Sequence, residues 1–137
     1  MMGKLLQRLA DPARSGVFRA SDDRAILDAT RGAKLDVVAI EARDKLFDSL
    51  SRALDFPQWF GRNWDALEDV LDDLSWRKGG DGYVLVFRSY PDGEELGILL
   101  DVLRSSAEYW AGRGKPFFAV FIDPAKNLPL PDLYREP

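Results

Sequence analysis

The chain has 137 residues, with 19 Lys or Arg against 23 Asp or Glu, and it contains neither cysteine nor histidine. Without cysteine there are no disulfides, thiolate metal sites or thiol nucleophiles; without histidine the commonest general base, Ser-His-Asp chemistry and nearly all catalytic zinc sites are gone too. A hydrophobic share of 46% with 31% charged residues describes a folded chain, and its length suits one domain rather than two.

The first residues, MMGKLLQRLADPARSG, offer only short apolar pairs broken by Gln7 and Arg8, so no export signal is expected. No run approaches the roughly 18 apolar residues of a membrane span, and a cytoplasmic location follows as the expectation. Residues 16–20, GVFRA, read as a short strand, and Ser21-Asp22-Asp23 as the start of a helix over 23–33 that stops near Gly32. Residues 35–42, LDVVAIEA, predict a strand covered on both faces. A helix opening at Arg43 or Asp44 carries the stripe Leu46, Phe47, Leu50, Ala53 and Leu54, and Pro57 ends it. After the turn FPQWFGR a second helix is expected from about Asn63 to Trp76, followed by the loop Gly79-Gly80-Asp81-Gly82. YVLVF (83–87) predicts a buried strand, Pro91-Asp92-Gly93 a turn, and residues 94–111 a long helix stopped by Gly112 and Gly114. FFAVFI (117–122) is the last strand, and the Pro-rich tail 124–137 is expected to be extended or loose.

The resulting order, β-α-β-α-α-β-α-β, implies an α/β fold with a small, mostly parallel sheet of three or four strands packed with helices. No internal repeat, heptad pattern or Gly-rich phosphate loop is present, so nucleotide binding has no motif to rest on and no cofactor is expected.

The charge is unevenly placed. Residues 65–73, DALEDVLDD, hold five acids and no base, while the other 128 residues carry 18 acids and 19 bases. On a helical wheel of about 100° per residue, Trp64, Leu67, Val70, Leu71 and Leu74 form one arc and Asp65, Glu68, Asp69, Asp72 and Asp73 the opposite one. Such a face can simply be solvated. Yet Asp72 and Asp73 oppose the helix dipole at its C-terminal end, and the pairs Asp65/Asp69 and Asp69/Asp73 repel at i,i+4. A helix that lowers its own stability in this way is suited to a partner that supplies positive charge. It is unsuited to binding nucleic acid directly, because phosphates are repelled. The loop before it adds Trp59 and Phe60, with Gly61 for the turn and Asn63 as a helix cap; Phe56 and Phe60 can plug the core, whereas an exposed Trp59 has the character of a binding hot spot.

The stretch FPQWFGRNWDALEDVL, residues 56–71, resembles the signature of the barstar family, the intracellular inhibitors of barnase-type microbial ribonucleases. The order of elements over residues 34–122 is similar to that fold, leaving residues 1–33 as a β-α extension and 124–137 as a Pro-rich tail. The resemblance implies a protein without catalysis of its own, a monomer when free, whose acidic helix and preceding loop plug the active site of a basic extracellular-type ribonuclease. It implies that Asp69 enters the site as a phosphate mimic, that Asp65 pairs with a further base, and that Trp59 stacks on the nuclease. Gly61, Asn63 and Trp64 lie on the same edge, and Phe60, Glu68, Asp72, Asp73 and Trp76 complete the expected binding set. Glu68 stands where a well-known family member has an interface tryptophan, and Ser105 where an acid is expected on the long helix, unless Glu108 replaces it. Trp76 aligns with the family's post-helix tryptophan only across a gap in SWRKGGDG.

Two other readings compete. Carboxylates at i and i+4, Asp65 and Asp69 with Asp72 or Asp73, could hold a hard cation for a Mg²⁺-dependent hydrolase, although such sites usually draw ligands from several elements. A barstar-like module binding some other basic protein is the second.

Overall fold

The computed structural model describes residues 3–78 and 80–134. Its centre follows from two unbroken apolar runs. Phe117–Ile122 (β4) and Tyr83–Ser89 (β3) pair in parallel, with Val84 opposite Phe118 and Phe87 opposite Phe121. Neither run alternates apolar and polar residues, because both strands are buried on both faces. The sheet is completed by Gly16–Ala20 (β1) beside β4 and Asp36–Glu41 (β2) beside β3, giving the order β1-β4-β3-β2 with every pairing parallel.

One face is covered by Leu46–Leu54 (α3), Trp64–Leu71 (α4) and Gly93–Gly112 (α5), whose Leu50, Leu54, Leu67, Leu71, Leu99 and Leu103 meet Ile40, Leu85, Phe87, Ala119 and Phe121 of the sheet. Phe87 and Phe121 stack with ring centres 4.6 Å apart. The opposite face has its own core, in which Val84, Val86, Phe118 and Val120 meet Leu9, Ile26 and Leu133. These come from Lys4–Leu9 (α1), Arg24–Thr30 (α2) and the C-terminal tail.

The β-α-β-α-α-β-α-β order is present, with a helix and a 3-10 turn, Pro12–Arg14, ahead of it. The expectations need correcting at four places. The N-terminal extension is not β-α alone, since α1 precedes β1 and buries Leu9 completely; six helical residues are too few for a periodic pattern. Strand β2 is an edge strand. Val38 and Ile40 are buried on one face while Ala39 and Glu41 are exposed, so it is not covered on both. The tail is not loose: Leu130 and Leu133 are buried, the Arg19 N–H donates to the Pro131 carbonyl, and the Leu133 N–H donates to the Arg19 carbonyl, both at 2.9 Å. The buried Asp123 carboxylate starts the docking by accepting from the Asn127 and Leu128 N–H groups at 3.1 and 2.8 Å. The tail thereby shields the free edge of β1, which would otherwise offer unpaired backbone groups. The fourth place is the acidic helix, described below.

In the glycine-rich loop Gly79 lies outside the described residues. Gly80 has φ +90°, and a Cβ there would stand 2.8 Å from the Lys34 carbonyl oxygen. Only glycine fits that approach without movement.

Candidate protein-binding site

The framework of the site is aromatic. Phe56 and Phe60, both buried, meet edge to face at 4.8 Å, and Phe47 of α3 contacts both Phe60 and Trp64 in the same manner. Trp76 packs perpendicular to Phe56 at 6.1 Å and donates its indole N–H to the Leu54 carbonyl at 2.9 Å. Phe60 and Trp64 thus tie the loop to the start of α3, and Trp76 ties the chain after α4 to its end. Trp59 is different: it is 66% exposed.

Asn63 caps α4 as its sequence position suggests, accepting the Ala66 N–H at 2.8 Å. This satisfies one of the N–H groups left free at a helix start. Asp65 sits in the first turn, where the dipole favours an anion. The helix then ends five residues earlier than the apolar pattern predicts. It stops at Leu71, with Asp72 as C-cap, and Leu74 takes a left-handed backbone, φ 52°, that drops its side chain into the core. The carboxylates at its C-terminal end oppose continuation, and burial of Leu74 rewards the turn instead.

The acidic face is therefore divided. Asp65, Asp69 and Asp73 are exposed, together with Gly61 and Asn63, while Glu68 and Asp72 are half-buried. None of the five acids has an ion-pair partner within 4.0 Å among the described residues. Asp72 turns toward α5. Its Oδ1 and the Ser106 Oγ are both buried without a well-formed hydrogen bond among the described residues. Burial pushes the Asp72 carboxyl above the ordinary aspartate value; the nearby Ser106 hydroxyl pulls it back in part, and the charges of Glu68 and Asp69 raise it further. Ser105 and Glu108 are exposed on α5.

Two arginines flank this surface in ion pairs, and sequence patterning carries no sign of these because the partners lie 14 to 41 residues away in the chain. Arg62, with φ 52°, places Nε 2.9 Å from Asp48 Oδ1 on α3. Arg77 grips both oxygens of Asp36 on β2 at 2.8 Å and reaches Asp55 at 3.1 Å. No group of three or more acids among the described residues converges as metal ligands do.

The exposed surface thus combines one large aromatic, unpaired carboxylates and a capped helix end on a firmly packed base. It can meet a basic protein surface. No curated protein sequence matches the chain. Residues 30–122, more than half of its length, match the family model described as Barstar (barnase inhibitor), and the chain accordingly belongs to the barstar family.

Proposed function

We propose that the protein, acting in the cytoplasm and without catalysis of its own, inhibits a barnase-type ribonuclease by filling its active site with α4 and the loop before it. The observation that carries this reading is the set of unpaired acids on residues 65–73 beside the exposed Trp59. A ribonuclease cleft must hold phosphate with cations. Carboxylates fixed on a rigid helix are drawn toward such a cleft before contact and form charge-assisted hydrogen bonds within it. Asp69, exposed in the last turn of α4, takes the phosphate position; Asp65 meets a second base, and Trp59 stacks at the rim. Asp72, turned toward Ser106, contributes least of the five acids. The binding unit is the family segment, in one domain with the N-terminal extension and the tail: their Leu9, Ile26 and Leu133 pack on the sheet face away from α4, while Val17 and Leu130 join the core on its other face.

The test is inhibition of a purified barnase-type ribonuclease by the wild type, Asp69→Ala and Asp73→Ala. The expected result is tight inhibition, weakened much more by Asp69→Ala than by Asp73→Ala, with association slowing as salt rises. Equally small effects of both substitutions, or inhibition indifferent to salt, would overturn the proposal.

A further inference from the structure

An arginine stands on each side of the unpaired acids. Arg62 precedes Asp65 by three residues and Arg77 follows Asp73 by four, and between Arg52 and Arg77 the sequence contains no Lys or Arg except Arg62. Unpaired carboxylates attract such groups, and a long arginine side chain can adapt to reach them. Both arginines are nevertheless directed elsewhere by acids on other elements: Arg62 by Asp48 of α3, Arg77 by Asp36 of β2 and Asp55. The Arg77 arrangement is forked and largely covered. The Arg62 side chain is 57% exposed and bound at a single Nε contact, so its position depends on Asp48.

Arg62 also sits badly by local criteria. Its φ of 52° is the left-handed region that favours glycine, and a cation beside a helix N-terminus opposes the dipole. The exposed carboxylates that follow Arg62 in the chain are Asp65 and Asp69, the same ones that a basic partner must find free.

We propose that Asp48 is a positioning residue for the binding surface: its carboxylate sequesters Arg62 and so prevents the protein from neutralising its own acidic helix. The consequence for ribonuclease association rests on the inhibitor reading above, whereas the sequestration itself does not. Asp48 also lies in the first turn of α3, where an acid is favourable for purely structural reasons. The experiment must separate these roles.

Stopped-flow association with a barnase-type ribonuclease at low ionic strength compares Asp48→Asn in the wild type and in Arg62→Gln. The expected slowing is about three- to tenfold in the wild type but less than about twofold in the Arg62→Gln background, because without Arg62 only one distant negative charge is lost. Equal slowing in both backgrounds is what charge removal or weakening of α3 alone gives, and it would overturn the proposal. A second measurement needs no nuclease. The NMR signal of the Arg62 Nε–H should respond to Asp65→Asn or Asp69→Asn in the Asp48→Asn protein and stay unmoved by them in the wild type. A signal indifferent to both acids when Asp48 is absent rules out the sequestration, whether or not the ribonuclease binds. Failure of the wild type to bind any such ribonuclease removes the inhibitor reading instead, and the NMR result then decides the role of Asp48 alone.

Discussion

The indole N–H of Trp110 on α5 donates a 2.8 Å hydrogen bond to the backbone carbonyl of Leu71, the last residue of α4. Carbonyls at a helix C-terminus have no partner within the helix, and this one is buried. A side chain 39 residues away therefore completes the acidic helix and fixes where it ends. Trp110→Phe keeps most of the apolar contact but leaves the carbonyl unpaired, so we expect a loss of about 1–3 kcal/mol in urea unfolding. An unchanged unfolding midpoint would show that water replaces the indole.

Asp72 gives the protein a stability that depends on pH in an unusual direction. Its carboxyl titrates above the ordinary value of 3.8 because it is partly buried. The protonated form suits the fold, so this contribution is fully present below pH 3.8 and is lost as pH rises through the raised folded value. Asp72→Asn, which is neutral throughout, should flatten that part of the profile and stabilise the protein relative to wild type most clearly at neutral pH. Urea unfolding of both proteins from pH 3 to pH 7 measures the difference; parallel curves would contradict the assignment.

Trp59 and Phe60 are neighbours with opposite roles. Phe60 is 6% exposed and packed against Phe47 and Phe56, so Phe60→Ala should cost about 3–5 kcal/mol of stability. Trp59→Ala should change stability by less than about 0.5 kcal/mol, yet weaken ribonuclease binding by about tenfold or more if the inhibitor reading holds. Thermal unfolding and inhibition assays on the same preparations separate the two effects.

Leu133 is fully buried between the tail and the second sheet face. Leu133→Ala should cost about 2–5 kcal/mol, measured by thermal unfolding. Its distance in the fold from α4 predicts an unchanged association rate with a ribonuclease in conditions where the variant is folded.

Much of the fold was readable from residue patterns because local chemistry decides it. The apolar runs 83–87 and 117–122 are strands buried on both sides, and helices between strands imply parallel pairing. The α3 stripe, with Leu46, Leu50 and Leu54 buried, follows its spacing. Asn63 caps the helix that the capping rule assigns to it, and the family resemblance agrees with the matched segment.

At α4 local periodicity and tertiary packing disagree. Periodicity places five acids on one arc only while the helix continues, and it stops at Leu71. By itself the sequence determined the strands and helices from β1 to β4, though not α1, where the negative charge is concentrated, and which family the chain belongs to. Only the tertiary structure decided that Asp72 faces Ser106, that Trp110 closes α4, that Arg62 and Arg77 turn away from the acids, and that the tail seals β1. Element formation responds to neighbours within a few residues, whereas burial and ion pairing join groups tens of residues apart.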